Sequence, residues 1–564
     1  MDHSSESART VAGWKRWLPR TAVAVLVPVL LLMVTEAALR LFGVGAPSGV
    51  TRPCTIRGRP GSCSNEFFSR VFFPVRMART PRPYAILRDK QPGTVRIVIL
   101  GESAAYGDPD PTYGFGRYLE MMLRERYPDT RFEIINTGVT AINSHVVLRI
   151  AQDLADKQPD LFLVYMGNNE VVGPYGPGTV ITSAASNRAA IHASILVRST
   201  RIGQLLGSLG ASLSSGPGSR SSQEWRGMEM FLQKQVRADA PAMGPVYRNL
   251  AANLRDIIAA GRSAGAKVLV STVPTNERDC APFASMHRDS LDAAALEKWS
   301  ERMEQGKNLE AAGAYGDALK SYLSAAEIDW QYAELQFRIA RSLWMLGDYP
   351  AARERYGQAR DLDTLRFRAD TKINDIIRSV ATSAGPGVEL VDAERVLADQ
   401  SPHGVTGDEF FYEHVHFNPR GNYTIASVFF NRMQVQLGLP DPATSEDVLS
   451  EAGCERLLAF TGYDRARILR DLQRRLQRPP FTNQLNHAEG VEKVRLAVDG
   501  HTEAPEQTTA EYRWAIARHP DDQLLHLNFG LFLHPYDRNA AQQQFRMARP
   551  FDDASYLANW RKMD

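Results

Sequence analysis

A chain of 564 residues with a net charge of +2 is too long for one ordinary domain and carries no strong field of either sign. Its hydrophobic fraction of 44% and charged fraction of 23% are those of folded globular chains, which excludes a largely disordered protein. The near-neutral balance, without a large basic field, argues against a nucleic-acid partner.

The N-terminus departs from that average. Arg9, Lys15, Arg16 and Arg20 precede an uncharged run of 15 residues, Thr21 to Thr35, and Glu36 and Arg40 follow four apart. Residues 21–42 suffice to cross a hydrocarbon core as a helix, at about 1.5 Å per residue against about 30 Å. Trp14 and Trp17 suit the near interface, and Glu36 and Arg40 can pair at the far one. The basic flank predicts a cytoplasmic segment over 1–20, a single-pass transmembrane anchor over 21–42, and the bulk of the chain on the periplasmic or extracellular side of the membrane. A cleaved signal peptide is the competing reading, because the uninterrupted apolar run is short. Residues 43–85, rich in Gly, Pro and Arg, read as a stalk. The cysteines are Cys54, Cys63, Cys280 and Cys454, without zinc-ligand spacing. In an oxidising compartment Cys54 with Cys63 could close a small loop and Cys280 with Cys454 a long one; four independent thiols are the alternative.

Strands and helices then alternate. Val95 to Leu100 is a nearly continuous apolar run ending in Gly101, the pattern of a strand buried on both faces. Phe115, Leu119, Met122 and Leu123 follow at helical spacing. Phe132 to Ile135 is a second strand, Val146 to Ala155 a helix, and Leu161 to Met166 a third strand. A Gly/Ser/Pro-rich stretch over 208–222 reads as a mobile loop. Leu250, Leu254, Ile257 and Ile258 mark a helix stopped by Gly265, and Lys267 to Val273 and Val388 to Val391 are the fourth and fifth strands. The alternation predicts an α/β fold with a parallel sheet and a site along the C-terminal edge of its strands.

Between strands four and five lies a repeat. Gly313, Tyr315, Ala318, Tyr322, Ala325 and Asp329 recur as Gly347, Tyr349, Ala352, Tyr356, Ala359 and Asp363, each pair 34 residues apart. That period resembles tetratricopeptide repeats, which implies an α-helical insertion over 296–366 with a face for a protein partner. Residues 441–564 read as a helical C-terminal region, where Tyr512, Ala515, Phe545 and Ala548 hint at a further repeat.

Four segments stand at strand ends or beside the last helix: Gly101-Glu102-Ser103, Asn136-Thr137-Gly138, Gly167-Asn168-Asn169-Glu170 and Glu413-His414-Val415-His416. Acyl transfer needs a nucleophilic hydroxyl, an imidazole, a group to orient it and donors for the oxyanion. Ser103 supplies the first, and His416 the second if the fold brings it to the same edge. The N–H groups of Ser103 and Gly138 and the Asn169 amide supply the donors. Set in this order, the segments resemble the SGNH (GDSL-type) hydrolases, whose blocks carry Ser, Gly, Asn and His on a flavodoxin-like three-layer sandwich. The resemblance covers 86–295 and 367–440. It implies Ser103 as nucleophile, His416 as base, Glu413 as the orienting acid, and Ser103, Gly138 and Asn169 as the oxyanion hole, with no cofactor and no metal. Two positions depart from the family: Glu102 and Glu413 each replace an Asp. His414 is the rival base. Arg278, after strand four, could bind a substrate anion or pair with Asp279, and Asp108 and Asp110 read as turn residues.

The expected activity is hydrolysis of an ester of unspecified identity through an acyl-enzyme. An O-acyltransferase acting on envelope polysaccharide is the alternative of the same chemistry. A repeat scaffold with a vestigial hydrolase fold is the alternative of another class.

Overall fold

The computed structural model describes residues 24, 26–214, 224–439, 449–501 and 503–549. A small antiparallel sheet comes first, with β1 (Thr51–Ile56), β2 (Arg59–Ser64) and β3 (Ala85–Leu87) in the order β1-β2-β3. The main sheet is parallel, built from β4 (Thr94–Gly101), β5 (Arg131–Asn136), β6 (Leu161–Tyr165), β7 (Lys267–Ser271) and β8 (Val388–Val391). Its order, β5-β4-β6-β7-β8, is the doubly wound flavodoxin-like one, with the topological switch beside β4. Ile97, Val98, Ile99 and Leu100 are fully buried, which is why β4 reads as a continuous apolar run rather than an alternation.

Helices cover both faces. Met243–Ser263 packs on Ser144–Leu154 and Thr371–Ser383 on one side, while Phe115–Arg126 packs on Pro419–Leu437 on the other. The second pair meets through stacked Phe115 and Phe429, ring centroids 5.6 Å apart. Pro419–Leu437 starts where the sequence chemistry demands it. Asn418 accepts a hydrogen bond from Gly421 N–H at 2.9 Å, and Pro419 occupies the first turn, where its missing N–H costs nothing.

The insertion forms two helical hairpins, Ala293–Ala311 with Tyr315–Ile328 and Ala333–Met345 with Tyr349–Leu362. The 34-residue period has a physical basis here. Gly313 and Gly347 take φ of +75° and +83° in the turns, and the paired Ala and Tyr positions at 318, 322, 325, 352, 356 and 359 are buried between helices. Asp329 and Asp363 each close the turn after their hairpin: Asp329 accepts from Gln331 N–H and Asp363 from Leu365 N–H.

Three expectations are corrected, and the anchor falls partly outside the described residues. Among the described residues no helix is long and apolar enough to cross a membrane, so the anchor expected over 21–42 is not found as a span. Residues 21–23 and 25 of that segment lie outside the described residues, and 24 and 26–41 are helical. At its far end the Glu36 carboxylate accepts from Arg201 N–H at 3.0 Å and Ile202 N–H at 3.1 Å. The basic residues of 1–20, with Trp14 and Trp17, lie outside the described residues. The stalk expected over 43–85 is folded: Phe68, Phe72, Phe73 and Met77 belong to the main core, and Cys54 and Cys63 are joined in a disulfide across β1 and β2. Cys280 and Cys454 are not bonded to each other; each is a buried free thiol, Cys280 beside Gln484 and Cys454 in the main core. The loop expected over 208–222 begins as helix, Arg201–Ser214, and 215–223 lies outside the described residues.

The C-terminal helices fold back onto the segment that follows Ser103. Arg467 pairs with Asp110, Arg117 with Asp522, and Tyr113 Oη lies 3.4 Å from Tyr512 Oη. Asp110 thus anchors another element, beyond the turn role its sequence suggested.

Candidate active site

β4 ends at Gly101, Glu102 continues extended, and Ser103 opens the short helix Ser103–Tyr106. The parallel register sets Gly101 beside Tyr165 and Ile99 beside Asn136, so the loops carrying Gly138 and Asn169 leave the sheet on either side of Ser103. The chain then delivers His416 to the same edge, 313 residues later: its Nε2 lies 2.8 Å from Ser103 Oγ. The Glu413 carboxylate touches His416 Nδ1 with one oxygen and His414 Nδ1 with the other. The same oxygens accept backbone N–H bonds from His416 at 3.2 Å and His414 at 2.8 Å. With Nδ1–H given to Glu413, His416 Nε2 is an acceptor for the Ser103 hydroxyl proton.

The two imidazoles differ in what surrounds them. His414 is buried edge-on against Phe283, Phe367 and Phe481, at ring centroid distances of 5.4, 6.2 and 5.9 Å. That apolar burial pushes its pKa well below the usual imidazole value. Burial likewise pushes His416 down, to about 4, with Asp108 pulling upward and Arg475 reinforcing the fall. His416 is therefore neutral, the form that can accept a proton, across the ordinary pH range.

Glu102 has a structural task. Its carboxylate accepts from Asn168 N–H at 2.9 Å and Asn169 N–H at 3.4 Å, which holds the Asn169 loop against the serine turn. Burial pushes its pKa well up, with Glu170 adding to the rise and the loop N–H groups opposing it. Glu170 holds the start of the Ser144–Leu154 helix, accepting from Ser144 N–H and Oγ–H at 2.8 Å each.

Gly138 is placed by packing. A Cβ there would come within 2.5 Å of Tyr106 N, so only glycine lets this loop lie against the serine helix. Its N–H donates to Asn136 Oδ1 at 2.9 Å, and it is not on the wall of the cavity that holds Ser103. Ser103, Asn169, Glu413 and His416 all line that cavity, whose volume is about 830 Å³. The Ser103 N–H stands in the first turn of its helix, where no intrahelical acceptor exists.

Sequence reasoning missed several wall residues. Asp108, expected as a turn residue, sits with one oxygen 4.0 Å from His416 Nε2 and pairs with Arg475 at 2.5 Å. Burial pushes its pKa up, but Arg475 and His416 hold it below the usual carboxylate range. Arg475 comes from the Gly462–Leu476 helix, and Arg79 and Trp225 from segments without periodicity. Arg278 is spent on Asp279 and Glu409, at 2.8 and 2.6 Å, and is not on the cavity wall. Glu413, His414 and His416 bring ligand-type atoms within 4.8 Å of one another, the group of that kind found among the described residues. Each of those carboxylate oxygens already faces an imidazole, and His416 Nε2 faces Ser103.

No protein-family model matches the chain, and no curated protein matches it. Among solved structures, the chain is similar to an acetyl xylan esterase at 12% identity, covering 60% of this chain and 99% of that one, with a TM-score of 0.27. It is similar to a lipase/acylhydrolase from Enterococcus faecalis at 10% identity, covering 62% and 100%, also at 0.27. An acetylxylan esterase from Geobacillus stearothermophilus matches at 9% identity, covering 61% and 95%, at 0.27.

Proposed function

We propose that the chain is an SGNH-type serine hydrolase that cleaves an ester bond through an acyl-enzyme on Ser103. The observation that carries this reading is the line Ser103 Oγ, His416 and Glu413 at the end of β4. Ser103 Oγ attacks the ester carbonyl while His416 Nε2 takes its proton. Glu413 holds Nδ1–H and offsets the imidazolium charge that forms. The Ser103 N–H and the Asn169 amide receive the oxyanion, each donor worth about 3 kcal/mol in a dry site. Collapse returns the proton to the leaving alkoxide, and water repeats the cycle on the acyl-enzyme.

Acyl transfer to a sugar hydroxyl is the second reading, favoured by a cavity large enough for an acceptor beside a short acyl group. Acetate release from 4-nitrophenyl acetate separates the two. A hydrolase turns over in buffer alone, and a transferase releases the phenol quickly only when a polysaccharide acceptor is added. Absence of turnover in both conditions contradicts both readings.

Export, with the N-terminal segment holding the chain at a membrane, is the placement supported by the basic residues of 1–20, the exposed apolar side chains from Leu26 to Val34 and the Cys54–Cys63 disulfide. Resistance of the full chain to carbonate extraction is the expected result, and its release as soluble protein is the contrary one. The helical hairpins, read as tetratricopeptide-type repeats, are the proposed site for a protein partner.

A further inference from the structure

The cavity around Ser103 is lined by more cations than its acids can neutralise. Four carboxylates line it, and each already has a basic partner. Asp108 is held by Arg475, Asp471 by Arg474 and Arg475, and Glu413 by the two imidazoles. Glu224 lies 3.9 Å from Arg76. Arg79 and Arg478 also line the cavity, and among the described residues neither has a carboxylate within ion-pair distance.

Arg79 is the more constrained of the two. Its Nε donates to Thr140 Oγ1 at 2.8 Å, and its guanidinium lies over the Trp225 ring, 5.0 Å from the centroid. Those contacts fix the plane of the guanidinium and leave its two terminal nitrogens without an acceptor among the described residues. Burial pushes its pKa down, so the protein bears a desolvation cost for holding this charge. Asp108, the acid that acts on it electrostatically, is already committed to Arg475. A planar cation clamped on an aromatic ring, with its fork open, is the arrangement that receives a carboxylate or sulfate in two parallel hydrogen bonds.

Resting on the hydrolase reading, we propose that the substrate is an anionic ester, whose carboxylate or sulfate group is received by Arg79 together with Arg478 on the cavity wall. Trp225, Phe231 and Phe481 line the same cavity and offer apolar faces for the uncharged part of that substrate. The negative group resides either on the acyl portion or on the alcohol portion, and each has its own probe.

The test compares three esters on the full chain: neutral 4-nitrophenyl acetate, 4-nitrophenyl hemisuccinate with its charge on the acyl side, and 4-acetoxybenzoate with its charge on the leaving side. Arg79→Gln should lower the ratio of kcat/KM for one anionic ester to that for the neutral ester by about tenfold or more, the scale of losing a hydrogen bond to a charged partner. Arg79→Lys should recover part of that ratio, since it keeps the charge and loses the fork. The ester whose ratio falls identifies the side that carries the charge. Ratios unchanged within about twofold for both anionic esters overturn the proposal.

A binding arm does not depend on turnover. Ser103→Ala should bind 4-acetoxybenzoate more tightly than its uncharged methyl ester by calorimetry, and the added Arg79→Gln change should remove that preference. Charge preference without turnover in the wild type would overturn the hydrolase reading and leave anion recognition standing. Turnover with equal binding of the acid and its methyl ester, and ratios unmoved in Arg79→Gln, would do the opposite. Thermal melts of each variant identify any that fails to fold, and Arg79→Lys then carries the test.

Discussion

Glu413 serves two imidazoles with one carboxylate, and the surroundings of each decide what it can do. His416 reaches Ser103, whereas His414 packs edge-on against Phe283, Phe367 and Phe481. His416→Ala should lower kcat/KM by roughly 10⁴-fold, while His414→Ala should cost far less, through looser packing around Glu413. Steady-state kinetics on 4-nitrophenyl acetate decides between them, and the reverse ranking would make His414 the base. The pH profile tests the same site independently. A base must be deprotonated, so activity is present above its pKa and lost as pH falls through it. Burial holds His416 at about 4, so the acid limb of kcat/KM should lie well below the roughly 6.5 of a free imidazole. A limb at or above about 6.5 contradicts the buried site. At this scale Ser103, His416, Glu413 and Asn169 are legible in the sequence because short segments at strand ends carry them in a fixed order. Arg79, Asp108 and Arg475 are not, because nothing local distinguishes an arginine on a cavity wall from one in solvent.

The elements around the site owe their legibility to period. β4 and β6 are continuous apolar runs because both faces are covered, and the hairpins repeat at 34 residues because buried Ala and Tyr positions recur with each pair of helices. The small sheet β1-β2-β3 escapes this reading. Its strands are short, half-exposed and interrupted by Pro and Gly, so composition alone resembles a linker. The N-terminal segment shows the limit of a local reading: its apolar length is visible in sequence, but the Glu36 cap on the Arg201–Ser214 helix is a long-range contact. Close backbone approach is also an element-scale property. Gly138→Ala would press a methyl group against the Tyr106 backbone, and should destabilise the chain by about 1–3 kcal/mol and reduce turnover together. Urea unfolding and kinetics on the same preparation check it. A fully stable, fully active variant would mean the loop can move away from the serine helix.

Across the whole molecule, the C-terminal helices complete the site region rather than trailing from it. Arg475 reaches Asp108 beside His416, and the Arg117–Asp522 and Arg467–Asp110 pairs pin the same region to the segment after Ser103. The Arg117–Asp522 pair is almost wholly desolvated, with side chains 7% and 1% exposed, so removing Asp522 takes one of two counter-ions from a buried charge. Asp522→Asn should therefore cost about 3 kcal/mol, with Arg117 keeping Glu120 as its remaining partner. Burial pushes Asp522 up, but Arg117 and Arg124 hold it below the usual carboxylate range. A carboxylate depressed in the folded state stabilises it above its ordinary pKa of about 4, and that contribution is lost as pH falls below this value. Thermal melts from neutral pH down into strong acid should show the wild type converging on Asp522→Asn; a constant gap contradicts the pairing. These pairings join residues about 350 to 400 positions apart, which is why the sequence registers the region only as helical and charged. All of this architecture converges on one hydroxyl, and covalent labelling tests it most directly. A fluorophosphonate probe should form a single adduct on Ser103 in the full chain and none in Ser103→Ala. A wild type that stays unlabelled under conditions that label a control esterase, or an adduct that persists in Ser103→Ala, would contradict Ser103 as the nucleophile.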